Sequence, residues 1–177
     1  MKPVTKSKKA ANDRPKTLLQ ELARNPGRLF DKPFARQYGA LCFRRIPNSS
    51  EIEILVITSR ETRRWIIPKG WPMKGKEPHK AAAVEAWEEA GVRGKPGKVS
   101  VGSYTYLKDI DEGAVTPCIV EVFQIEVTEV RTDFKERGQR ACDWVTPDEA
   151  ARRVREIELK SLLVNFKPNF SKKSRTK

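Results

Sequence analysis

From Pro78 to Ala90 the chain reads Pro-His-Lys-Ala-Ala-Ala-Val-Glu-Ala-Trp-Glu-Glu-Ala, a run of helix formers with proline at its first position and Gly91 just past its end. Those two residues delimit a helix, because the first turn has no use for an N–H on residue 78 and glycine accepts the left-handed exit. At about 100° per residue, with Glu85 as origin, Glu89 falls at about 40° and Glu88 at about 300°, so three carboxylates share roughly 100° of arc. Ala83, Ala86, Trp87 and Ala90 cluster on the opposite side. Like charges three and four residues apart repel, and these sit at the helix end where the macrodipole disfavours anions. A hard divalent cation that takes oxygen ligands, Mg²⁺ or Mn²⁺, would offset that charge. A solvated acidic face is the competing reading of the helix alone.

The segment in front favours the metal. Trp65-Ile66-Ile67-Pro68-Lys69-Gly70-Trp71-Pro72 ends a short apolar strand in a Pro/Gly turn, so strand, loop and acidic helix follow in order. Together, Gly70 to Val92 resemble the 23-residue box of the Nudix hydrolases, G-x5-E-x7-R-E-U-x-E-E-x-G-U, where U is a bulky aliphatic residue. Gly70, Glu85, Glu88, Glu89, Gly91 and Val92 carry the match. The first Glu of the box is Lys76 here, with Glu77 one residue late; its Arg is Val84, and the aliphatic position after Glu85 is the small Ala86. In the family that Glu and Arg usually form an ion pair that braces the loop. Losing both leaves no unpaired charge behind, so the departures touch the brace and not the metal-ligand positions.

The wider likeness covers residues 36–166. Gly39 to Arg44, Leu55 to Arg60, the Trp65 strand and Glu-Glu-Ala-Gly-Val-Arg-Gly at 88–94 are similar to the diphosphoinositol polyphosphate phosphohydrolases and their bacterial relatives, which also cleave diadenosine polyphosphates. The resemblance implies an α/β/α sandwich with a mixed β-sheet, and a Mg²⁺- or Mn²⁺-dependent hydrolysis of phosphoanhydride bonds in such polyphosphorylated small molecules. It makes Glu88 and Glu89 the principal metal ligands, the Gly70 carbonyl a further one, and Glu85 the general base or a third ligand. Which carboxylate takes the proton stays open. A glutamate outside the box often contributes; Glu121 is the nearest candidate, with an outward strand position as its ordinary reading. Ser59 and Arg60 match a phosphate-contacting Ser-Arg of the inositol enzymes, and Lys69 stands beside the metal loop. Arg36 and Arg44 flank the first strand, and Arg140, with Arg137 close by, precedes the last. These are the substrate-binding candidates, each weighed against a solvated surface charge. His79, with no second His or Cys nearby, is expected at the surface, and Trp87 in the core.

Composition sets the outer limits. A chain of 177 residues, 38% hydrophobic, supports one domain, here residues 31–166. Residues 1–16 and 167–177 each carry a net +5 of the total +13, leaving +3 for the body. The segments 1–30 and 167–177 are therefore expected to be disordered, solubilising tails, with weak non-specific nucleic-acid contact as the second reading. Cys42, Cys118 and Cys142 fit neither a zinc site nor a disulfide framework. No apolar stretch is long enough to span a bilayer, and a cytoplasmic protein is the default expectation. Removal of pyrophosphate from RNA 5′ ends and a non-catalytic Nudix-fold binding module are the competing functions; three retained carboxylates argue against the module.

The remaining elements alternate. Tyr38 to Phe43 and Glu51 to Ser59 read as strands around a Pro47-Asn48-Ser49-Ser50 break, Val99 to Leu107 and Cys118 to Val127 as a second pair, and Asp143 to Val145 as a last short strand. Thr146-Pro147-Asp148-Glu149 opens a helix as a capping box, and a final helical segment runs from about Leu159 to Phe166.

Overall fold

The computed structural model describes residues 34–111 and 114–168. Segment 1–30 and most of 167–177, expected to be disordered, lie outside the described residues.

In strand β1 (Ala35–Arg45), Ala40, Leu41, Cys42 and Phe43 are all fully buried, although successive side chains point to opposite faces. A strand buried on both faces has to be covered on both, which calls for helices above and below one sheet. β1 runs parallel to β6 (Ala114–Val130), from Ala35 opposite Cys118 to Phe43 opposite Glu126. It is antiparallel to β2 (Ile52–Thr58) and to the two-residue β4 (Lys69–Gly70). β3 (Trp65–Ile66) and β7 (Cys142–Val145) both pair with β2, and β5 (Val92–Asp111) pairs with β6. One parallel pair among antiparallel ones makes the sheet mixed.

On one face Ala40, Cys42, Leu55, Ile57, Phe123 and Ile125 pack with Ala82, Ala86 and Ala90 of helix α1 (Pro78–Ala90). On the other, Leu41, Phe43, Ile54, Val56 and Val120 pack with α2 (Pro147–Arg153) and α3 (Ile157–Val164) through Ala150, Leu159 and Leu163. This is the expected α/β/α sandwich.

The differences from expectation are local. β4 was expected as loop, and β5 starts directly after Gly91 because register shifts near Pro96, Ser100 and Gly102 carry the ladder across residues that normally break a strand. Thr146 accepts the Glu149 N–H at 3.3 Å, but the Glu149 carboxylate binds Arg152 and Arg153 at 2.9 and 2.8 Å instead of reaching back. Charge-assisted bonds to two guanidiniums in the next turn outcompete one backbone N–H. The buried stripe of α1 is centred on Ala82, Ala86 and Ala90, so His79, about 120° round the wheel and level with Ala86, faces the sheet. It is buried, its ring 6.3 Å from that of Phe123. Trp87 falls at the margin of the stripe and is half-buried, with the Arg93 guanidinium 3.7 Å from its ring centroid.

Three alanines let α1 lie close against the sheet, and that closeness sets where the carboxylates stand. Ala86→Leu should overpack the layer and cost about 1–3 kcal/mol in urea denaturation. An unchanged midpoint would show that the layer has room to spare.

Candidate active site

α1 ends abruptly. Gly91 adopts φ 66° and its N–H donates to the Trp87 carbonyl at 2.9 Å, so the carboxylate-bearing turns stop where the chain enters β5. The segment between β6 and β7 folds over that end. Arg131 N–H donates to the Gly91 carbonyl at 2.8 Å, and Glu136 N–H to the Glu88 carbonyl at 3.0 Å.

Glu89 sits on the buried side of the helix, 6% exposed. One of its oxygens accepts the Lys69 N–H at 3.0 Å and the other the Arg140 guanidinium. Arg140 also donates to Glu136 at 2.7 Å and to the Thr58 carbonyl at 3.0 Å. Glu88 is paired with the Lys135 ammonium at 2.6 Å. Gly70 lies directly against Glu85: a Cβ on residue 70 would overlap the Glu85 carboxyl, so only glycine brings the β4 backbone this close. Burial first, and then the carboxylates of Glu89, Glu88 and Glu136, push the Glu85 carboxyl up to about 7. Burial also raises Glu89, with Arg140 opposing.

Glu136 is the residue missed in the sequence. It lies in a charge-dense segment without periodicity, and its one signal is a place four residues before Arg140, next to the last strand. Glu121, the earlier candidate, stays in its ordinary outward position, a third exposed and 3.8 Å from Arg36.

The cations chosen from the sequence divide. Arg60 stands at the rim, more than half exposed and 3.5 Å from Glu136. The partly buried Lys69 ammonium lies 5.1 Å from the Tyr106 ring centroid, and burial lowers its pKa while Glu89 opposes. Ser59 is a turn residue, sharing a hydrogen bond with Thr62 at 2.7 Å and accepting the Arg64 N–H at 3.2 Å. Arg140, expected as a substrate contact, has a side chain 6% exposed that donates to Glu89, Glu136 and the Thr58 carbonyl. Arg44, also expected there, stands farther along β1. It pairs with Glu53 at 2.7 Å and stacks on Trp144, six residues along β1 from the Tyr38 that faces Gly70, roughly 20 Å at the usual strand rise. Arg36, at the other end of β1, is engaged with Glu121.

As the side chains stand, no three His, Cys, Asp or Glu groups among the described residues converge on one point, since Glu88 and Glu89 are turned toward Lys135, Arg140 and the Lys69 N–H. The donor set nevertheless suits a hard divalent ion: the Glu85 carboxyl lies against the Gly70 backbone, and the carboxylates of Glu89, Glu88 and Glu136 are near enough to raise its pKa.

The NUDIX domain matches residues 35–166. The chain therefore belongs to the Nudix hydrolases. It is 31% identical over 132 residues to diphosphoinositol polyphosphate phosphohydrolase 3-beta of Bos taurus, covering 72% of this chain and 74% of that one. To diphosphoinositol polyphosphate phosphohydrolase 2 of Rattus norvegicus it is 32% identical, covering 72% and 68%. Similar solved folds include a C. elegans Ap4A hydrolase, with TM-score 0.54, 18% identity and coverage of 75% and 95%, and a NUDIX hydrolase from Nitrosomonas europaea, with 0.57, 16%, 75% and 87%.

The Glu85 value has a consequence for stability. Its folded pKa of about 7 lies above the ordinary 4.5, so the folded state holds the proton more tightly, and ionising Glu85 costs stability as pH rises from about 4.5 to about 7. In chelator-treated protein, Glu85→Gln should stabilise at pH 8 and be near neutral at pH 5, read by urea denaturation. An equal effect at both pH values would show that repulsion is not focused on Glu85.

Proposed function

We propose that this chain is a divalent-metal-dependent hydrolase of phosphoanhydride bonds in polyphosphorylated nucleotides, such as diadenosine polyphosphates, or in diphosphoinositol polyphosphates. The observation that carries the reading is the placement of the Glu85 carboxyl directly against the Gly70 backbone, with Glu89, Glu88 and Glu136 near enough to raise its pKa. Glu88, Glu89, Glu85 and the Gly70 carbonyl would hold Mg²⁺ or Mn²⁺. The ion supplies charge neutralisation for the phosphates and a more acidic water. Glu85 would serve either as a third ligand of the ion or as the base that takes the proton of the attacking water. Arg60 at the rim and Lys69 beside the loop receive phosphate oxygens. The substrate class draws support from the relatives named diphosphoinositol polyphosphate phosphohydrolases.

A hydrolysis screen with Mg²⁺ and Mn²⁺ over diadenosine tetraphosphate, an inositol pyrophosphate, ADP-ribose and triphosphorylated RNA tests the reading. Triphosphorylated RNA as best substrate would replace it. Glu88→Gln and Glu89→Gln should each lower kcat by at least ~100-fold. Glu88 is the cleaner test, since Glu89 also ties the fold together. Near-normal turnover of Glu88→Gln at saturating Mg²⁺ would sink the metal-site assignment.

A further inference from the structure

Two lysines beside the catalytic loop differ from the other cations there. Arg140, Lys135 and Arg60 each face a carboxylate. Lys69 and Lys108 face aromatic rings: the Lys69 ammonium lies 5.1 Å from the Tyr106 ring centroid, and that of Lys108 4.6 Å from the Trp71 ring centroid. Among the residues whose side chains are described, which leave out 109–115, neither ammonium has a hydrogen bond or ion pair to an acid. The two are close enough for Lys108 to disfavour the charge on Lys69. A cation over a ring face keeps its N–H donors free, so these two can take phosphate oxygens without first breaking a salt bridge. Trp71 directly follows Gly70, and 45% of it is exposed. A large indole left that open one residue from Gly70, with the Lys108 ammonium over its ring, is a surface on which a flat ring can stack.

We propose that Trp71 is a nucleobase platform and Lys108 its partner on the polyphosphate, so that the chain prefers a nucleoside polyphosphate to an inositol polyphosphate. The inference rests on the catalytic reading above and narrows its substrate class. The phosphate chain runs from Gly70 past Lys69 toward β5, Lys108 leaves the indole for a phosphate oxygen, and the base takes its place on the ring. An inositol ring offers no π-face, so Trp71 would add nothing to its binding.

The test is calorimetric, on the full chain with Mg²⁺, using methylene-bridged diadenosine tetraphosphate and inorganic tripolyphosphate as probes. Trp71→Ala should weaken the dinucleotide analogue about 10-fold and leave tripolyphosphate within about twofold, while Trp71→Phe stays within about threefold of the wild type for both. Lys108→Gln should weaken both probes and reduce the salt dependence of binding. Equal weakening of both probes by Trp71→Ala, or of neither, overturns the platform. Circular dichroism of each variant establishes that it is folded. A wild-type chain that hydrolyses an inositol pyrophosphate but does not bind the dinucleotide analogue also overturns the platform and leaves the catalytic reading standing. A chain that binds the analogue through Trp71 but hydrolyses no phosphoanhydride overturns the catalytic reading instead.

Discussion

One buried carboxylate, Glu89, joins three segments that are distant in sequence. It belongs to α1, accepts the Lys69 N–H from β4 and takes the Arg140 guanidinium from the segment before β7. Breaking a buried ion pair by removing one partner typically costs about 3–5 kcal/mol, more than the roughly 1.5–3 kcal/mol of a charged hydrogen bond alone. The position of the catalytic loop therefore depends more on this junction than on any contact within the loop. The usual brace of the family is absent, with Lys76 exposed and Val84 in place of its Arg. Glu77, one residue after Lys76, is instead engaged locally with Lys80 at 2.6 Å. The junction at Glu89 takes over the bracing, through a residue that the box also makes a metal-ligand candidate.

That double use shapes the electrostatics. Glu88 has Lys135, Glu89 has Arg140, and Glu136 shares Arg140 and faces Arg60. Glu85 has no ion pair among the described residues, and it is the one against which Gly70 is packed. The excess negative charge of the cluster is thus concentrated at one carboxyl beside a backbone that only glycine permits. Burial and three neighbouring carboxylates act there in the same direction. A place so arranged is one where added positive charge is most favourable.

Much of this was legible in the sequence because it is written in periodicity. The phase of Glu85, Glu88 and Glu89 on α1 and the stop at Gly91 follow from spacing alone. What periodicity does not carry was missed. His79 was expected at the surface for lack of a partner, while its place on the wheel already aligned it with Ala86. Glu136 and Arg140 have roles set by a segment that doubles back over α1, and nothing in local spacing reports where such a segment lands. Arg44 was a substrate-binding candidate because it flanks the first strand, and that strand meets β4 at Tyr38. The length of the strand carries Arg44 away.

The cations divide the site into two sides with different readiness for a ligand. On the side of Arg140 and Lys135, guanidinium and ammonium donors are already bonded to carboxylates, so a phosphate there would have to displace an existing partner. On the side of β4 and β5, Lys69 and Lys108 rest on π-faces that leave their donors unspent. A cation–π contact contributes from about 0.5 to about 2 kcal/mol as it is desolvated, against about 1.5–3 kcal/mol for a charge-assisted hydrogen bond, so the exchange is open to a phosphate. The two sides meet at Gly70, whose neighbour on one hand is Glu85 and on the other Trp71. A polyanion approaching this surface is repelled by the carboxylates until their charge is met and is attracted by the lysines from the outset. On the proposed reading, substrate would approach from the side of Lys69 and Lys108.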